Sequence, residues 1–438
     1  MIRSRARWPL ACLAAVALAA VAHAENWPQW RGPANDGIST ETGLPSEWSE
    51  TKNFAWKLPM PGMGGSTPSI WGERIFLTSQ DGGDVVLLCA STEGKELWRK
   101  SLGKHTGRMY MRGEGNDASA SPSTDGKHVW ALDGAGHLAC FDFDGKEVWA
   151  FNLQERYGRF NIQHGFHNTP LLDGDRLYLN LLHSGAWLVI ALDKSTGKEI
   201  WKHERQSDAH SENEHSYCSP IIWRKGNDAY LIVHGNDYCT AHSLENGKEL
   251  WRVGDLNPPP NGQYRRDLRF VATPAASPDL IVVPTAKNGS VVAVSPDARG
   301  RVKPGGPGEL WRLPNNTPDV PCPLIHDGLV YLCREAGGFF MCLDAKTGQM
   351  HYGKDRLIHS DRYRASPVYA DGKIYLLSRG GVATVVKAGP KFEKLAEIRM
   401  KLPETGMPDE TTASPVVSNG RIYIRGFKNL YAISEGGK

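Results

Sequence analysis

The stretch Ala191-Leu192-Asp193-Lys194-Ser195-Thr196-Gly197-Lys198-Glu199-Ile200-Trp201 decides the fold, because partial copies of it recur along the chain. Glu93-Gly94-Lys95-Glu96-Leu97-Trp98, Asp144-Gly145-Lys146-Glu147-Val148-Trp149, Asn246-Gly247-Lys248-Glu249-Leu250-Trp251 and Asp344-Ala345-Lys346-Thr347-Gly348 are the clearest. Each reads as a hairpin. The aspartate accepts hydrogen bonds from turn amides, the glycine takes the positive φ of a tight turn, and the tryptophan follows on the return strand.

A second marker precedes each hairpin: a small residue and a proline, an apolar strand, often an Asp-Gly or Asn-Gly turn, and another strand. Pro68, Pro122, Pro170, Pro220, Pro274, Pro323, Pro367 and Pro415 mark eight copies at a mean spacing of about 50 residues, the length of a four-stranded propeller blade. Asp125-Gly126, Asp173-Gly174, Asp327-Gly328, Asp371-Gly372 and Asn419-Gly420 separate the first two strands of their repeats. Helical periodicity is nearly absent. The expected fold is therefore all-β: an eight-bladed β-propeller of four-stranded antiparallel blades. The last repeat stops after Leu430-Tyr431-Ala432-Ile433 without an outer strand, whereas Asn53-Phe54-Ala55-Trp56-Lys57 looks like an outer strand with no inner ones. Together they predict a ring closed by an N-terminal strand, which removes the exposed edges of an open sheet. Residues 53–438 then form one propeller domain, with 25–52 as an extension packed on it.

Residues 1–24 read as a signal peptide: Arg3, Arg5 and Arg7, an apolar run from Trp8 to Val21, then Ala22-His23-Ala24 with cleavage after Ala24. The run is shorter than a spanning helix, and no later segment is apolar enough to span, so a periplasmic or secreted monomer is expected. Cys12 makes a poor lipid-attachment site, because Pro9 stands where that signal wants leucine. Cleavage removes three of the 51 bases and none of the 48 acids, leaving no net charge and no footprint for nucleic acid. Seven cysteines remain. Cys140 and Cys342 fall at the small-residue position held by Ala191 and Ala241 in their repeats, which predicts burial as small hydrophobes. Cys322 and Cys333 lie on consecutive predicted strands of one repeat, and their pairing as a disulfide depends on a geometry the sequence leaves open.

The Ala-x-Asp-x-x-Thr-Gly-Lys-x-x-Trp unit of residues 191–201 resembles the tryptophan-docking motif of the pyrroloquinoline-quinone (PQQ) propeller repeat. That resemblance covers roughly residues 53–438 and implies that Trp98, Trp149, Trp201, Trp251 and Trp311 pack between blades. It also implies kinship with the exported bacterial type related to the propeller subunit of the outer-membrane β-barrel assembly machinery. Trp27-Pro28-Gln29-Trp30-Arg31-Gly32-Pro33 looks like the mature N-terminus of such propellers and is expected to pack as a lid on the ring, the alternative being a ligand clamp.

Blade hairpins alternate between the two faces of a ring. The short Asp-Gly and Thr-Gly-Lys turns share one face, and the long irregular connections share the other, where functional residues concentrate. Those connections carry the candidate ligand-facing residues of the channel mouth: Arg112, Asn116, Asp117, His164, His167, His215, His234, Arg334, Arg364 and Arg379. A ring of histidine and arginine suits an anionic or metal-linked ligand. The run His210-Ser211-Glu212-Asn213-Glu214-His215 matches no familiar metal-ligand spacing, so no metal is expected there. No Gly-x-Ser-x-Gly or phosphate-binding Gly-rich loop occurs.

Three functions fit this reading. The first is a non-catalytic binding or scaffold module of the cell envelope, without cofactor, whose partner is a protein, an envelope component or a small anion. The second, implied by the resemblance, is a PQQ-dependent alcohol or sugar dehydrogenase, with the quinone against calcium in the channel. The sequence lacks the adjacent cysteine pair of many such enzymes and no motif marks their calcium ligands and base. The third is a small-molecule sensor or carrier using the same mouth. The first is preferred, which leans away from an enzyme and leaves that question open.

Overall fold

A computed structural model describes residues 25–108, 115–257, 264–358, 361–399, 401–402 and 404–437. The expected signal peptide and Arg112 lie outside them. The chain forms eight antiparallel blades around a central channel. Blades 1 to 7 occupy residues 69–104, 123–152, 171–204, 221–253, 275–313, 324–356 and 368–399. Blade 8 takes three strands from residues 416–434 and its outer strand from Phe54–Pro59, which pairs antiparallel with Asn429–Ser434. The N-terminal strand therefore closes the ring. The described helices are one turn at Leu153–Tyr157 and a 3-10 turn at Ser211–Glu214.

The repeat is explained by one contact made five times. Each docking tryptophan lies against the glycine of the next blade's outer turn. A methyl group built on Gly94, Gly145, Gly197, Gly247 or Gly348 would sit within 3 Å of Trp56, Trp98, Trp149, Trp201 or Trp311 respectively, and all five glycines have positive φ. Each indole N–H also donates to a carbonyl of that turn: Trp56 to Thr92 (2.7 Å), Trp98 to Phe143 (2.9 Å), Trp149 to Lys194 (3.0 Å), Trp201 to Leu244 (3.0 Å) and Trp311 to Ala345 (2.8 Å). The glycine is thus required twice, for its backbone angle and for the close approach of the ring. The small residue of the unit faces a large aromatic across the sheet: Ala191 opposes Trp201, Ala241 opposes Trp251, Cys140 opposes Trp149 and Cys342 opposes Tyr352. A β-bulge follows it each time. Cys140 and Cys342 are buried there, and Cys322 and Cys333 are both free thiols.

Blade 5 departs from the pattern. Its third and fourth strands are joined by a long excursion instead of a short turn, and Gly300–Val302 from that excursion adds a parallel fifth strand to blade 4. Trp251, next to the added strand, is buried edge-on against Tyr230 (6.0 Å) and has no glycine partner of the repeat type. The pattern of Asp-Gly turns gave no sign of this.

Residues 25–52 cross the face that carries the short turns. Trp27 exchanges backbone hydrogen bonds with Ile70 of blade 1 (2.9 and 2.7 Å), and the Pro28 carbonyl accepts from Thr124 of blade 2 (2.8 Å). The Gln29 side chain accepts from Leu172 of blade 3 (3.2 Å), Arg31 donates to Pro323 of blade 6 (2.9 Å), and Asp371 of blade 7 accepts from Leu44 (3.0 Å). Glu41 reaches Asn419 of blade 8 (2.7 Å). One short segment thus ties six blades together.

Candidate functional site

The residue before each marker proline is held in an extended conformation, and in seven blades it carries a hydroxyl. These residues form a belt around the channel. The backbone N–H of Thr67 donates to Ser121 Oγ (2.9 Å), Ser121 to Thr169 (3.1 Å), Thr169 to Ser219 (2.9 Å) and Ser219 to Thr273 (3.0 Å). Across the seam, Cys322 donates to Ser366 (3.0 Å), Ser366 to Ser414 (3.0 Å) and Ser414 back to Thr67 (3.1 Å). Each bond satisfies a buried amide that no strand partner reaches. Cys322 holds the one belt position without a hydroxyl.

The belt surrounds a cavity of about 250 Å³. Trp30 of the extension forms its floor, and His164, His167, Tyr217, Arg269 and Arg364 line its upper wall. Arg31 and Gly32 adopt positive φ (65° and 81°) and turn the chain so that Trp27 packs on Gly32 while Trp30 enters the channel.

Of the ten residues expected at the mouth, His164, His167 and Arg364 line the cavity. Arg364 binds Glu335 (2.6 Å). His164 lies 3.6 Å from Glu212, whose carboxylate also faces Arg269 (3.4 Å). His167 Nε2 meets the His164 carbonyl at 2.6 Å, and both rings lie against Tyr217. Burial holds both imidazoles below the ordinary histidine range, and therefore neutral at pH 7.

The others sit around or behind this wall. Arg334, over the Phe339 ring, bonds Asn316 (3.3 Å), and Arg379 pairs with Glu410 (2.9 Å) beside Phe427. Asn116 and Asp117 are buried, with Asp117 accepting from the Thr106 hydroxyl (2.8 Å). His215 is buried against Ser184 (3.1 Å). His234 is enclosed between blades 4 and 5, stacked on Phe270 at 4.2 Å with Nε2 at the Pro284 carbonyl (2.9 Å), and burial lowers its pKa to about 3. It faces a seam rather than the channel, at the end of a strand that turns straight back through Asn236 and Asp237 (φ 48° and 62°), where Phe270 and Pro284 of the next blade meet the ring.

Sequence reasoning missed Trp30 as a floor, Tyr217, and the belt itself. The belt had a visible signal, a hydroxyl residue before seven of eight marker prolines, but its meaning depends on neighbouring blades meeting at the axis. Among the described residues no three His, Cys, Asp or Glu side chains converge to hold a metal. Nor is any helix there long and apolar enough to cross a membrane.

Fold and site together define a PQQ-repeat propeller with a channel floored by its own N-terminal segment. The family model described as outer membrane protein assembly factor BamB matches residues 134–382, and the chain belongs to that family. No curated protein matches the chain. Among solved structures, BamB from Moraxella catarrhalis is 13% identical with a TM-score of 0.60, spanning 88% of this chain and 98% of that one. Quinohemoprotein alcohol dehydrogenase from Comamonas testosteroni is also 13% identical, with a TM-score of 0.64, spanning 94% of this chain and 81% of the other. The computationally designed Ika8 protein has a TM-score of 0.55 at 10% identity, spanning 87% of this chain and 99% of that one. Identities this low speak for a shared fold alone.

Proposed function

We propose that this protein is an exported, monomeric, cofactor-free binding or scaffold module of the cell envelope that docks its partner on the loop-bearing face. The observation that carries this reading is the asymmetry of the ring. One face is laced shut by residues 25–52 and floored by Trp30, while the other presents irregular connections on a rigid belt. Arg364 and Arg269 stand at that open mouth already oriented by Glu335, Glu212 and Asp319, as suits recognition of a carboxylate-bearing partner.

Membership of a family described by outer-membrane assembly favours a protein partner. The test is photo-crosslinking in envelope fractions, from sites on the open-face connections and from control sites on the Asp-Gly turns. Crosslinks should come from the open face alone and fall at least about tenfold in the Arg334→Glu, Arg364→Gln double variant, as for other charged docking contacts. Purified protein incubated with PQQ and calcium should not reduce an artificial acceptor with alcohols or sugars. Substrate-dependent reduction, or crosslinks spread over both faces, would overturn the proposal.

A further inference from the structure

The belt hydroxyls have a property that their structural role does not use. Each oxygen accepts its neighbour's amide, and among the described residues no protein acceptor takes the hydroxyl's own proton. Thr67, Ser121, Thr169, Ser219, Ser366 and Ser414 all line the cavity and are all at least nine-tenths buried. Six O–H donors therefore converge on one volume.

The charged side chains of the lining are donors too, set among the apolar Trp30, Val271 and Val320. Arg269 and Arg364 face the cavity while the carboxylates that hold them, Glu212, Asp319 and Glu335, stand outside the lining, which contains no Asp or Glu among the described residues. Buried donors without acceptors are costly, and a ligand supplying several acceptor oxygens relieves many of them at once. A cavity of about 250 Å³ falls just below the roughly 300–1,000 Å³ that enclose drug-sized molecules, so the occupant is a small solute.

We propose that the throat of the channel is a binding site for a small oxyanion, a carboxylate or a phosphate-like group, held by the belt hydroxyls below and by Arg269 and Arg364 above. The site rests on the open face only as its route of entry. Two sources share this chemistry, a mineral oxyanion and a small organic polycarboxylate.

Calorimetric titration of the full chain with inorganic phosphate, sulfate and citrate, at fixed ionic strength and with glucose as the neutral control, tests the proposal. Anions should bind and glucose should not, and the preferred anion identifies the source. The ring itself supplies gentle variants, because it already accommodates a cysteine at position 322. Ser414→Cys should weaken the preferred anion about three- to tenfold, and Cys322→Ser, which adds a hydroxyl, should tighten it by a similar factor. Arg269→Gln should weaken it further, with melting temperatures reporting that each variant is folded.

No anion binding at millimolar concentrations, or binding indifferent to all three substitutions, overturns the inference. That failure would leave the crosslinking result untouched. Conversely, belt-dependent anion binding without open-face crosslinks would sink the scaffold reading and leave this one standing.

Discussion

Individual residues in this propeller show how sharply the surroundings of one side chain fix its chemistry. His183, His234 and His242 are fully buried, and burial depresses their pKa values to about 4, 3 and 3. In the unfolded chain each titrates near 6.5. A depressed histidine contributes stability that is intact above the unfolded pKa and falls away as pH drops toward the folded value, because only the unfolded chain takes up the proton. Three such groups predict a loss on the order of 3 kcal/mol between pH 6 and pH 5. Urea unfolding at pH 7, 6 and 5 measures it, and a flat profile over that window would show that these rings are not buried neutral. The cysteines were more legible than the histidines. Ala191 and Ala241 mark a position that must be small because a tryptophan faces it, so Cys140 and Cys342 could be read as packed thiols. Nothing comparable marked His234, whose seam position depends on a turn that the sequence alone leaves open.

Among the elements, the docking tryptophan and its glycine carry the repeat, and their coupling gives a specific expectation. In Gly197→Ala a side chain is forced into positive φ (66°) and its Cβ would lie 2.8 Å from the Trp149 ring. Backbone strain and overpacking together should cost about 2–4 kcal/mol. The same substitution at Gly174 meets the same φ penalty (57°) with nothing within 4 Å, and should cost only about 1 kcal/mol. Equal losses in chemical denaturation would show that the indole contact adds nothing. In the belt, Ser366→Ala leaves the Cys322 amide without its acceptor, at a cost of about 1–3 kcal/mol. Blade order and turn positions were readable from the sequence because they are local and repeated. The fifth strand of blade 4 was not, since Gly300–Val302 is short, parallel and paired with another blade.

At the level of the whole molecule, the N-terminal segment does two things: it completes blade 8 and it floors the channel. The first was legible as two half-blades at opposite ends of the sequence. The second was legible only as a lid of some kind, since Trp30 reaches the axis by a turn at Arg31 and Gly32 that no motif announced. Both roles make the ring's integrity depend on residues far from most of the propeller in sequence, with Trp56 seated between Gly94 and Tyr423 at the closing seam. Removing residues 25–58 would expose the edges of Asn429–Ser434 and open the floor of the cavity. Loss of the half-buried Trp56 alone should cost less than the roughly 3–5 kcal/mol of a fully buried tryptophan, about 1–3 kcal/mol. The decisive measurement is the melting temperature and solution mass of that truncated chain beside the full one. The account predicts a markedly lower melting temperature with association through the freed edge, and a truncated chain that stays monomeric and melts where the full chain does would contradict it.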